Sequence, residues 1–242
     1  MSTTNKRILF VGRRGQDVWE VQNELRARGF YKGEVTGHFE GLTEAAVKAF
    51  QSANKLTPDG VVGNNTYNAL GLMNMLVQPE FLMIHTTASS TNWTAETVRN
   101  YHLNTLKWGR PGYSKVIERD GKVVDLWRID LTDGFQPHEV TFGAAEFNPI
   151  SVHIAYIGGI DGRGNALDNR TDAQKESMKN IVFEMIDKVP AIQIGGHNQF
   201  HNKNCPCFST PKWLREICVK EENIYTNDPF GYVSFYETGK WR

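Results

Sequence analysis

The sequence predicts an α/β domain, a central mixed sheet with helices packed on it, preceded by a small three-helix unit. Three observations carry that expectation. From Phe81 onward, short apolar strands alternate with helical stretches, the pattern of a sheet covered by helices. Before residue 75, apolar residues instead recur at helical spacing in three short stretches. Between the two textures stands Gln78-Pro79. The expected division is therefore a helical unit over residues 1–75, a linker over 76–79, the α/β domain over 80–222 and an aromatic-rich tail over 223–242.

In the first unit, Asp17 is placed to cap a helix carrying Val18, Val21, Gln22 and Leu25 on one face, and Gly29 suits its stop. A second helix is expected to open at Thr43, with Leu42 and Val47 forming a hydrophobic staple and Ala46, Val47 and Phe50 turned inward. Pro58-Asp59-Gly60 gives a turn, and a third helix follows from about Asn65 to Leu70. In the second domain, Phe81 to His85 reads as a strand and Thr94 to about Leu103 as a helix. Val116 to Leu126 reads as a hairpin turning on Asp120-Gly121. Val152 to Ile157 and Ala191 to Ile194 are further strands. Thr171 with Gln174 makes a capping box for a helix whose stripe is Met178, Ile181, Val182, Met185, Ile186 and Val189. Pro211 to about Lys220 forms a last helix, and Tyr225, Phe230, Tyr232, Phe235, Tyr236 and Trp241 of the tail are expected to pack on the domain.

Composition narrows the function. Lys and Arg number 27, as do Asp and Glu, and the balance of +2 before residue 75 against −2 after it leaves neither part a polyelectrolyte binder; nucleic acid is not an expected partner. The longest mostly apolar run, Leu70 to Val77, is far short of the roughly 20 residues of a membrane span. Residues 1–15 hold no secretory apolar region, so synthesis in a cytoplasm is expected. Of three cysteines, Cys205 and Cys207 stand two apart, which suits reduced thiols or metal binding better than a bridge.

Few side chains here can carry a reaction. His85 ends an apolar strand and is followed by small residues, Thr86-Thr87-Ala88-Ser89; His197 follows Gly195-Gly196 and precedes Cys205 by eight positions. Two imidazoles and one thiolate, with a fourth position left for water, form a catalytic rather than a closed zinc pattern. Spacing leaves His201 and Cys207 as rivals for two of those places.

The first unit resembles the peptidoglycan-binding domain found at the ends of many cell-wall hydrolases. The resemblance runs through Gly15-Gln16-Asp17-Val18, Val21-Gln22, Leu25, Gly29-Phe30-Tyr31, Ala46-Val47, Phe50-Gln51, Asp59-Gly60-Val61-Val62-Gly63, Thr66 and Leu70. One departure is Thr36-Gly37, where that family commonly has Asp-Gly. From Phe81 to about Val219 the chain resembles the zinc-dependent N-acetylmuramoyl-L-alanine amidases, which include the amidase-type phage lysozymes and share their fold with the animal peptidoglycan recognition proteins. The carrying segments are Ile84-His85-Thr86-Thr87-Ala88-Ser89, Tyr101-His102, Gly112-Tyr113, Val116-Ile117-Glu118-Arg119-Asp120-Gly121, Ser151-Val152, Tyr156-Ile157-Gly158-Gly159, and His197 with Lys203-Asn204-Cys205-Pro206.

The resemblance implies one zinc ion held by His85, His197 and Cys205, with Lys203 and Tyr113 as catalytic side chains, and gives no ligand role to His201 or Cys207. It implies a modular, endolysin-like hydrolase that cuts the amide between N-acetylmuramic acid and L-alanine, with peptidoglycan as partner; a monomer is the expected form. Such an enzyme lacks an export signal and reaches the wall after the membrane is breached. The alternative is a non-catalytic recognition protein of the same fold, but those typically lose the cysteine that this chain keeps. Ala155 stands where some branches carry a Glu base, which implies the branch that depends on Tyr113. Ser114 replaces a His common after that Tyr, and Phe142 replaces a residue that is often polar.

Overall fold

The computed structural model describes residues 7–72 and 78–240. The chain forms two compact units, Met1–Gln78 with Asp130–His138, and Pro79–Ile129 with Glu139–Arg242. Residues 76 and 77 of the expected linker and Trp241 of the tail lie outside the described residues. Residues 130–138, read above as part of the 80–222 stretch, group with the first unit.

The first unit contains α1 (Gln16–Ala27), α2 (Gly41–Ala53) and α3 (Asn64–Ala69). Val18, Val21, Leu25, Val47, Phe50 and Tyr67 are buried with Leu9, Phe39 and Val62. Gly29 ends α1 with φ +81°, the left-handed value that spares a side chain. Its N–H donates to Arg26 and that of Phe30 to Leu25, the two bonds of a Schellman cap. The helix starts differ from expectation. Gly15 is the N-cap of α1, and Asp17 sits in the first turn, where it pairs with Arg7 at 2.6 Å. Because α2 begins at Gly41, Leu42 is helical and 71% exposed and forms no staple. Thr43 is buried in its place, accepting a 2.9 Å hydrogen bond from Gln22 Nε2.

The second unit is built on β1 (Phe81–Thr86), β2 (Lys115–Ile117), β3 (Val123–Asp125), β4 (Ser151–Tyr156) and β5 (Gln193–Gly196), arranged β3-β2-β4-β1-β5. Strands β2, β4, β1 and β5 run parallel and β3 is antiparallel, so the sheet is mixed. Every residue of β4 is buried, as suits a central strand covered on both faces. The hairpin between β2 and β3 does not turn on two residues. Gly121 donates its N–H to Glu118 O and has φ +89°, which makes a longer loop with glycine at its left-handed position.

α4 (Ala95–Asn100) is capped by the Thr94 side chain and passes into a π-helical turn, Tyr101–Thr105, rather than ending as a regular helix. α5 (Asp172–Lys188) has both halves of its capping box, and Gln174 Nε2 also donates to Ile117 O and Ile157 O, pinning the helix to the sheet. α6 (Thr210–Glu216) is capped by Ser209. The tail includes α7 (Tyr232–Thr238) and packs on the same unit: Tyr225 stacks on Phe200 at 4.6 Å, and the Tyr236 hydroxyl donates to Asn204 O. Phe230 is the departure, 39% exposed.

Candidate metal centre

The sheet itself brings the key side chains together. β1 and β5 are adjacent and parallel, so their C-terminal ends share one edge, where open α/β sheets characteristically form sites. His85 is the penultimate residue of β1, and His197 immediately follows β5. Gly196 gives the approach its closeness. A Cβ there would lie 2.5 Å from Thr210 Oγ1 and 2.7 Å from Pro206 Cδ, so any side chain would push the Cys205 loop away. That loop is held by the Tyr156 hydroxyl, which donates to Pro206 O at 2.7 Å, and by the Thr86 N–H, which donates to Cys205 Sγ at 3.2 Å.

One ligand atom from each of His85, His197 and Cys205 consequently lies within 4.8 Å of the others. The two imidazole rings are 4.5 Å apart, and His85 Nδ1 is 3.7 Å from Cys205 Sγ. His85 is therefore oriented with Nδ1 inward and Nε2 away from the sulfur. Its Nε2 lies 3.0 Å from Nδ1 of His153, a fully buried residue in the middle of β4.

Burial sets the charge state. It drives the His85 pKa well below the ordinary imidazole value and lowers those of His197 and His153 to about 3, with repulsion among the imidazoles adding to the effect. Burial also pushes the Cys205 thiol up to about 12, against the opposing pull of the Thr86 N–H. The cluster thus consists of neutral side chains with candidate ligand atoms gathered together, and neutral imidazole is the form that binds a transition metal.

The rivals are turned elsewhere. His201 Nε2 meets Glu146 Oε2 at 3.1 Å, and the Cys207 thiol, buried, donates to Gly159 O at 3.2 Å. Lys203 is exposed on the loop between His197 and Cys205, and its positive charge helps to lower the pKa values of both His85 and His197. The Tyr113 ring is 5.2 Å from that of His85, and its hydroxyl donates to Thr86 O at 3.4 Å. Burial raises this phenol above its usual range. Tyr113 is backed by His102, whose ring stacks with Trp108 at 4.9 Å and whose Nδ1 accepts from the Gly112 N–H at 3.2 Å. No carboxylate comes from β4 opposite His85, because Ala155 occupies that register position and is buried in an apolar cluster.

Sequence reasoning passed over two participants. His153 interrupts an otherwise apolar strand, and that interruption is the signal that could have marked it. Thr86 acts through its backbone, with its N–H toward the sulfur and its carbonyl toward Tyr113, and no side-chain pattern reports that.

Residues 75–208 match the N-acetylmuramoyl-L-alanine amidase family, and residues 14–70 match a peptidoglycan binding domain. The chain belongs to this amidase family. Among relatives, an endolysin of Enterobacteria phage T3 is 28% identical over 136 residues, covering 55% of this chain and 84% of that protein. The peptidoglycan-recognition protein SC1a of Drosophila melanogaster is 26% identical over 144 residues, covering 57% of this chain and 71% of that protein. A solved structure of the Ph2119 endolysin from a Thermus scotoductus bacteriophage is 20% identical and covers 62% of this chain and 88% of its own, with a TM-score of 0.46. The amidase-family chain is thus a peptidoglycan-binding domain followed by an amidase domain, a modular endolysin-like arrangement. Among its described residues, no helix is long and apolar enough to cross a membrane.

Proposed function

We propose that this amidase-family chain cuts the amide between N-acetylmuramic acid and L-alanine in peptidoglycan and uses one zinc ion to do so. The observation that carries this reading is the meeting of His85, His197 and Cys205 within 4.8 Å at the end of the sheet. Two neutral imidazoles and one sulfur are a donor set that zinc accepts, and three protein ligands leave a coordination position for the reaction. His85 through Nδ1, His197 and Cys205 through Sγ would hold the ion. When bound, zinc lowers the pKa of its water to about 7 and polarises a carbonyl oxygen.

The chain's own residues supply the rest. The ammonium of Lys203, on the loop beside the ligands, stabilises the negative charge that develops on the scissile carbonyl oxygen. Burial raises the phenol of Tyr113 above its usual range, and its 3.4 Å bond to Thr86 O is long enough to be exchanged for one to a substrate oxygen. Thr86 orients both sides of the site, donating to the sulfur and accepting from the phenol. The N-terminal unit binds the polymer and raises the local concentration of cleavable bonds, on the millimolar scale for short tethers.

The test is digestion of purified peptidoglycan followed by mass analysis of what is released. The proposal expects free stem peptides beginning with L-alanine, their loss on chelation, and their return with added zinc. Binding without any released peptide would instead favour a recognition protein of this fold. Full hydrolysis by the metal-stripped enzyme would refute the zinc mechanism.

A further inference from the structure

We propose that His153 is a positioning residue that fixes the tautomer of His85 and so presets the metal site. The inference rests on the zinc reading above and extends it to a side chain outside the ligand set. His85 approaches Cys205 with Nδ1, and a neutral imidazole that uses Nδ1 as a ligand carries its proton on Nε2. That nitrogen lies 3.0 Å from His153 Nδ1, so the His85 Nε2–H donates and His153 Nδ1 accepts. His153 is then itself protonated on Nε2. Histidines that bind metal are commonly held this way, by a partner on the other ring nitrogen, although the partner is more often a carboxylate or a carbonyl.

Three features show that the arrangement is built rather than incidental. The His153 side chain is fully buried, and its strand position is locked by register: His153 pairs with Met83, and Ala155 with His85. Space for the ring comes from Gly143, where a Cβ would lie 2.6 Å from His153 Cγ. The backbone behind it is fixed by Ser114, whose N–H and hydroxyl both donate to His153 O at 2.8 Å. His153 Nε2 has no hydrogen-bond partner among the described residues, an unfavourable condition for a buried polar atom. A strand chosen for stability alone would carry an apolar residue here. Retaining imidazole makes sense where the other nitrogen has work to do.

The experiment compares the zinc affinity of the full chain with that of His153→Leu and His153→Asn, by competition with a chromophoric chelator. Imidazole proton and nitrogen resonances of the zinc-loaded proteins are recorded alongside. Leucine keeps the volume and removes the acceptor, and asparagine can return an oxygen near the place of Nδ1. The expected result is a loss of about 10- to 100-fold in zinc affinity for His153→Leu. Partial recovery is expected in His153→Asn, and a slowly exchanging His85 Nε2–H in the parent should disappear in the leucine variant. Equal zinc affinity in parent and His153→Leu, with zinc stoichiometry intact, would overturn the role of His153 while leaving the zinc site standing. A parent chain that binds no zinc would overturn both. Should His153→Leu not fold, His153→Asn and the parent resonance decide, since a His85 ring protonated on Nδ1 in the zinc-loaded parent contradicts the proposal directly.

Discussion

Both units bury polar side chains, but for opposite ends. In the helical unit, Gln22 donates to His38 O and Thr43 Oγ1 and accepts from the N–H groups of Thr36 and Gly37. Gln51 does the same one helix later, donating to Asp59, Val61 O and Thr66 and accepting from Gly60 N–H. Each amide closes a turn completely, and nothing is left over for a ligand. In the amidase unit, His85, His153 and His197 are buried as thoroughly, yet they face one another, and burial and mutual repulsion hold them neutral. Satisfied burial makes architecture. Burial that gathers potential ligand atoms makes a candidate binding site.

The sharpest way to break this comparison is to remove charge beside the converging donors. Lys203→Ala should lower kcat on a soluble muropeptide by about 10²- to 10³-fold, as the loss of an oxyanion donor does elsewhere, with the fold intact by circular dichroism. A variant with parental kcat would return Lys203 to the status of an ordinary exposed loop residue.

Acid should separate the units next. His102 is lowered to about 4 by burial, against about 6.5 in an unfolded chain. The folded pKa is depressed, so unfolding takes up a proton between those values. The associated stability is complete above pH 6.5 and is lost as pH falls toward 4. The amides of Gln22 and Gln51 have no proton to exchange. Urea unfolding at several pH values should therefore show acid sensitivity in the amidase unit, to which His85, His153 and His197 also contribute, and His102→Gln should reduce it by the share of His102. An unchanged pH profile in that variant would contradict the assignment.

The smallest expected effect falls in the helical unit. Gln51→Ala strands the Gly60 N–H, while Val61 O keeps its bond from the Thr66 hydroxyl, and should destabilise that unit by about 1–3 kcal/mol. Turnover of a soluble muropeptide should not change, because none of the groups assigned to chemistry lies there. A fall in kcat as large as that of Lys203→Ala would mean that the two units are not separable in this way.

The sequence carried the layered plan far better than the details of closure. Strand alternation announced the sheet, and the Thr171–Gln174 capping box is present with both bonds. The staple at Leu42 failed because a long-range bond from Gln22 drew Thr43 inward, and a local pattern cannot see a partner 21 positions away. At the site, spacing alone could not choose between Cys205 and Cys207, two residues apart on one loop; only the fold turns one sulfur toward His85 and the other toward Gly159. His153 was passed over for a related reason. A lone histidine in an apolar strand reads as core until a second imidazole is found 3.0 Å away.

Metal content decides most directly whether His85, His197 and Cys205 form a zinc site. Zinc measured in the purified protein, beside His85→Ala and Cys205→Ala prepared identically, should be about one ion per chain in the parent and close to none in either variant. Zinc undiminished in both variants, or a parent that takes up none when zinc is supplied, would contradict that site.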